Sequence, residues 1–203
     1  MTELSENLYI GIDFGGTTIT GGAVNTAGET KALHTVSTQR DRIPAAIFDT
    51  ICHLIADISR EYKPAAVGLG VPCPAGPSTD RLDMIENIPS MEGYPLRSKA
   101  EERLGLPVVL ENDANCMAYG EHRAGALRGV DHGVCLTLGT GIGCGIIIGG
   151  SLYRGAGNYA GEIWNIPRPE GGTIEDRVSI GGLRAICRGI VGEEIGTRAL
   201  YDR

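Results

Sequence analysis

The chain has no apolar run near the roughly 20 residues that a membrane-crossing helix needs. Its first ten residues, MTELSENLYI, carry neither the basic start nor the apolar stretch of a secretion signal. No C-x-x-C pair occurs. The six cysteines at 52, 73, 116, 135, 144 and 187 are scattered, which argues against a zinc knuckle or a disulfide framework and for a reducing cytoplasm. Positive charge is short as well. With 18 Lys and Arg against 25 Asp and Glu the formal charge is -7, so a generic grip on nucleic-acid phosphates is not expected. No G-x-x-x-x-G-K-[ST] loop is present, and a Walker-type nucleotide site is excluded.

What is abundant is glycine, 31 of 203 residues, gathered where turns or close backbone approaches would be needed. The length suits one large or two small domains with a proper core. Residues 8–13, 19–25 and 31–37 read as strands. IPAAIFDTICHLIADISREY places Ile47, Ile51, Leu54, Ile55 and Ile58 at helical spacing. AAVGLGVP reads as a buried strand, LRSKAEERLG as a short helix stopped by Gly105, and LPVVLEN as the next strand. Asp113 opens a further helix, and GALRGVDHG (125–133) marks a domain boundary. A strand pair follows within VCLTLGTGIGCGIIIGGSLY, and a last helix is expected from about Ser179 through SIGGLRAICRGIVGEEI. The order predicts an α/β protein with a mixed sheet, divided into lobes 1–125 and 126–203.

Four stretches carry chemistry. In Asp13-Phe14-Gly15-Gly16-Thr17-Thr18, glycine backbone and threonine hydroxyls offer donors to an anion. A carboxylate beside them fits if a cation such as Mg²⁺ lies between, often through water. The competing reading is a plain hairpin turn. Gly139-Thr140-Gly141 is a second such turn, and the two could hold a polyphosphate from both sides of a cleft. In VVLENDAN, Asp113 stands where a strand gives way to a helix. It is either a helix N-cap or a general base aimed into a cleft, with Asn112 beside it able to donate and accept for a polyol. Glu162, after a small-residue turn, is either a solvated loop acid or a receiver of two sugar hydroxyls. Trp164, the one tryptophan, is either packing or a stacking face for a sugar.

Together these residues resemble the ROK family of repressors and sugar kinases, within the hexokinase–actin–Hsp70 ATPase superfamily. IDFGGTTIT is similar to its first phosphate motif and VGLGVPCPAGP to its connecting strand. NIPSMEGYPLRSKAEERLGLPVVLENDANCMAYGE resembles its sugar-binding segment, and LTLGTGIGCGIIIGGSLYRGAGNYAGEI its second phosphate motif. The resemblance implies a ribonuclease H-like (actin-like ATPase) fold and an ATP- and Mg²⁺-dependent kinase acting on a hexose or related sugar. It implies Asp113 as base, with Asn87, Asn112, Glu162 and Glu175 as sugar contacts. Asp13 would organise Mg²⁺ through water, and Gly15, Gly16, Thr17, Thr18, Gly139, Thr140 and Gly141 would surround the ATP phosphates. A homodimer is a further expectation. The alternative is a sugar-binding regulatory module without catalysis, although only about seven residues precede the first strand, so no DNA-reading segment is expected there.

The chain departs from the family pattern. Trp164-Asn165 stands where the family carries Gly-His, and the short IPRPEGGTIEDRVS replaces the cysteine-rich zinc loop, so no zinc site is expected. On the resemblance, the part that completes the second lobe and grips adenosine would lie beyond Arg203. Apolar strand faces of that lobe are expected to stay uncovered unless a partner covers them.

Overall fold

The structure, a computed structural model, describes residues 7–192 and Ala199. Strand β1 (Leu8–Phe14) turns Ile10, Ile12 and Phe14 to one face and Tyr9, Gly11 and Asp13 to the other, the period-2 pattern of a strand covered on one side. It runs antiparallel to β2 (Thr18–Asn25), which pairs with β3 (Thr30–Ser37). On its other side β1 pairs in parallel with β4 (Val67–Val71), and β4 with β5 (Val108–Asn112). The resulting order is β3-β2-β1-β4-β5.

Parallel neighbours require crossovers, and two helices supply them. Helix α1 (Pro44–Tyr62) starts with proline at its first position, where no amide is needed, and ends on left-handed Lys63. Its buried stripe, Ile47, Ile51, Leu54, Ile55 and Ile58, packs with Ile10, Ile12, Leu69 and Leu110 in one core. Helix α2 (Leu96–Leu104) adds Leu96 and Ala100 to that core and stops on left-handed Gly105.

Helix α3 (Asp113–Ala124) lies at the other side of β4 and β5, against a second sheet. That sheet is the antiparallel meander β6 (Gly133–Leu138), β7 (Ile142–Ile148) and β8 (Ser151–Leu152). The approach is very close. A Cβ built on Gly145 would stand 2.3 Å from the Ala118 Cβ, and one on Gly143 2.7 Å from the Ala114 Cβ. Two glycines facing two alanines therefore set how near α3 comes. A partly buried ion pair, Arg154 Nε to Glu111 Oε2 at 2.6 Å, ties the loop after β8 to β5. Glu111 Oε1 also accepts from Asn115 Nδ2 at 3.0 Å.

Past β8 the chain forms a one-turn helix α4 (Glu175–Val178), which the pattern of residues did not announce, and then α5 (Ile180–Val191). Ser179 caps α5, its Oγ accepting from the Gly182 amide at 3.1 Å, as expected from a helix starting there. The helix stops at left-handed Gly192; residues 193–195, assigned to it from sequence, lie outside the described residues. Val134, Leu136 and Leu138 of β6 are 57%, 55% and 66% exposed, an uncovered apolar strip as anticipated for this lobe. No helix among the described residues is long and apolar enough to cross a membrane.

Candidate functional site

A cleft of about 480 Å³ opens between the two sheets, within the range of small-molecule sites. Its walls gather nearly every residue singled out by sequence: Asp13, Gly15, Gly16, Thr17, Asn87, Asn112, Asp113, Gly139, Thr140, Gly141, Glu162 and Glu175.

The first hairpin, between β1 and β2, forms one wall. The Gly15 amide donates to the Thr18 carbonyl at 3.0 Å, so the turn itself consumes that donor. Thr18 opens β2 and is not part of the cleft wall. Gly15 lines the cleft without offering its amide, and Thr18 supplies the acceptor that closes the turn. The amides of Gly16 and Thr17 have no protein partner among the described residues. A Cβ on Gly16 would meet the Asn87 Cβ at 3.2 Å, so glycine there admits Asn87 beside the turn.

The second hairpin, between β6 and β7, follows the same logic. The Gly139 amide is spent on the Gly141 carbonyl at 2.9 Å, and the Gly139 carbonyl accepts from the Ile180 amide at the start of α5. Thr140 and Gly141 keep their amides without a protein partner among the described residues. Glu175 lines the same cleft and also braces this hairpin, its Oε2 accepting from the Ile142 amide at 3.0 Å.

At the junction of β5 and α3 the structure separates the two roles that sequence left open. Asn112 is the cap: its Oδ1 accepts from the Asn115 amide at 3.0 Å, and its Nδ2 donates to the Cys73 carbonyl at 3.3 Å. One amide hydrogen of Asn112 is left for a ligand. Asp113 is the first helical residue, its Oδ1 accepting from the Ala114 amide at 2.7 Å. It is exposed within the cleft. Protein nevertheless crowds its carboxyl, and this desolvation raises its pKa, opposed by the Ala114 amide and reinforced by the negative charge of Asp13. Burial raises Asp13 too.

Glu162 completes the opposite wall. Its Oε2 accepts from the Trp164 indole Nε1 at 2.8 Å. Desolvation raises its pKa, the indole N–H opposes the shift, and the charge of Asp113 adds to it. Desolvation is the main cause at all three carboxyls, with Asp13 acting on Asp113 and Asp113 on Glu162, and partly desolvated negative charges of this kind favour a cation nearby. Among the described residues, no group of three or more His, Cys, Asp or Glu is arranged to cage a metal. Carboxylate oxygens are the donor type that suits Mg²⁺, which keeps several waters and is commonly held by one or two carboxylates and substrate phosphates. Asp13, beside the free amides of the first hairpin, is the residue that would hold it.

Sequence reasoning passed over Arg40, Met84 and Glu86, which also line the cleft. They sit on loops without periodicity or motif, so no local signal marks them. In the cleft wall, burial pushes the Cys73 thiol up to about 12, which keeps it protonated at neutral pH.

Comparison with known proteins accords with this geometry. The ROK family pattern matches residues 9–174. The chain is 40% identical over 161 residues to a glucokinase of Streptomyces coelicolor, covering 78% of this chain and 49% of that one. It is 36% identical over 163 residues to an N-acetyl-D-glucosamine kinase of Vibrio vulnificus, covering 80% and 53%. It superposes with a TM-score of 0.83 and 36% identity on the crystal structure of a ROK family glucokinase from Streptomyces griseus in complex with glucose and AMPPNP, covering 92% of this chain and 62% of that one. The chain thus spans about half the length of the curated relatives it matches. Both glycine-threonine hairpins and the Asn112–Asp113 junction fall inside the matched range, and the chain belongs to the ROK family.

Proposed function

We propose that the chain carries the sugar- and phosphate-binding parts of an ATP-dependent kinase that phosphorylates a hexose or related sugar, with Asp113 as general base. The observation that carries this reading is the division of labour at the β5–α3 junction. Asn112 takes the capping bond, so the Asp113 carboxylate is free to face a cleft whose other wall is the 139–141 hairpin. Residues 1–125 and 126–203 serve as the two lobes.

In this reading the free amides of Gly16, Thr17, Thr140 and Gly141 bind phosphate oxygens from two sides. Mg²⁺, when bound with ATP near Asp13, supplies charge neutralisation at the phosphates. Asp113 accepts the proton of the attacking sugar hydroxyl. Phosphoryl transfer proceeds through a loose transition state, so orienting that hydroxyl matters more than stripping its proton early. Asn87, Asn112 and Glu162 hold ring hydroxyls. Acidic lining residues (Asp13, Glu86, Asp113, Glu162, Glu175) face a single arginine among the described ones, Arg40. That balance favours a neutral sugar or an aminosugar over a sugar acid or sugar phosphate.

A coupled assay with ATP, Mg²⁺ and a panel of hexoses, run beside calorimetric titration of the same sugars, tests the reading. Turnover on glucose or N-acetylglucosamine supports it. Asp113→Asn should lower kcat by about 10²–10⁴, the usual share of a general base, while sugar affinity stays within a fewfold. Sugar binding without turnover in the unaltered chain would instead support a regulatory module.

A further inference from the structure

We propose that Trp164 is a positioning residue for the sugar, its indole N–H fixing Glu162 so that one carboxylate oxygen is reserved for a sugar hydroxyl. The inference rests on the sugar-binding reading given above. Three observations carry it. The indole Nε1 donates to Glu162 Oε2 at 2.8 Å, and Glu162 Oε1 has no protein partner among the described residues. Both side chains line the cleft that also holds Asp113. Finally, Trp164 is itself held from behind: its carbonyl accepts from the Glu175 amide at 3.2 Å, and Glu175 Oε2 grips the Ile142 amide at the root of the second phosphate hairpin.

A carboxylate in a half-open cleft would otherwise sample several rotamers and present either oxygen. An N–H bond to one oxygen removes that freedom before the ligand arrives, which lowers the entropy lost on binding. The same bond favours the charged carboxylate, the better acceptor for a hydroxyl. Indole is a donor only, so it cannot compete with the sugar for the carboxylate's role. Because Glu175 joins Trp164 to the hairpin at Ile142, the sugar wall and the phosphate wall share one chain of contacts.

The chain contains no other tryptophan, so emission excited at 295 nm reports on Trp164 alone. D-glucose and N-acetyl-D-glucosamine are titrated into the full chain, with calorimetry and emission recorded on the same samples. The expected result is a saturable emission change with the calorimetric Kd. Trp164→Phe, which keeps a ring and removes the donor, should weaken sugar binding about tenfold, the effect of losing a hydrogen bond to a charged group. It should also shift the acid limb of sugar affinity to higher pH, because Glu162 loses the bond that holds its pKa down. Heat of sugar binding with silent emission through saturation overturns the inference and leaves the sugar reading intact. So does a folded Trp164→Phe variant with unchanged affinity and an unchanged acid limb. Absence of binding heat with either sugar overturns both.

Discussion

Asp113 and Asp13 are costly residues for the fold. Both carboxyls have pKa values raised mainly by burial. An acid whose folded pKa lies above its unfolded one stabilises the protein only at low pH, and that contribution is lost as pH rises through the folded value. At neutral pH each charge therefore opposes folding. Asp113→Asn is expected to raise the thermal midpoint at pH 7 and to leave it nearly unchanged at pH 3, as measured by circular dichroism melts at the two pH values. The same raised pKa sets the catalytic pH dependence. Asp113 must be ionised to accept a proton, so kcat should fall as pH drops, with its acid limb above the ordinary carboxylate range. A pH–rate profile whose limb sits at or below that range would contradict the assignment. Sequence alone named this residue but left cap and base open together. The choice depended on Asn112, one position earlier, whose Oδ1 reaches the Asn115 amide; either residue is an ordinary cap, and only the backbone angle at the strand end decides between them. The amides of Gly15 and Gly139 were illegible for a similar reason. Whether a turn spends its own donors depends on its geometry, and a glycine-threonine pattern allows either outcome.

At the level of elements, α3 is the part that makes a site out of two sheets. It carries Asp113 at its first turn and is set against β7 by the facing pairs Ala114–Gly143 and Ala118–Gly145. Gly145→Val would drive a side chain into the Ala118 methyl and the Ala114 carbonyl. It should cost about 3 kcal/mol, the upper end for overpacking, read from a urea melt, and should weaken sugar binding by moving Asp113. Helical spacing made α1 legible before any coordinates and short apolar runs made the strands so, because each buries one face with the period of its own geometry, whereas α3 was read from Asp113 following a strand. The single turn α4 escaped. Four residues offer no repeat to detect, and its Glu175 earns its place through a bond to Ile142, 33 positions away in the chain.

For the whole molecule, the consequential surface is the strip of Val134, Leu136 and Leu138 on β6. Among the described residues β6 pairs with β7 alone, so the strip adjoins a strand edge, a combination that promotes association. The 203-residue chain should bind the dye ANS in its folded state. Leu136→Lys should reduce that signal while changing stability by no more than about 0.5 kcal/mol, as for other surface substitutions. Unchanged ANS binding in the variant would show that another surface takes the dye. Sequence predicted the uncovered strand faces but not which strand would bear them, since alternation in VCLTL fixes two faces without saying what packs on either.

The ion pair between Arg154 and Glu111 spans the same two halves that enclose the cleft. Any hinge motion that parted those halves along this line would first have to separate two opposite charges, one of them only 13% exposed. The pair is thus a charged seam joining the loop after β8 to β5.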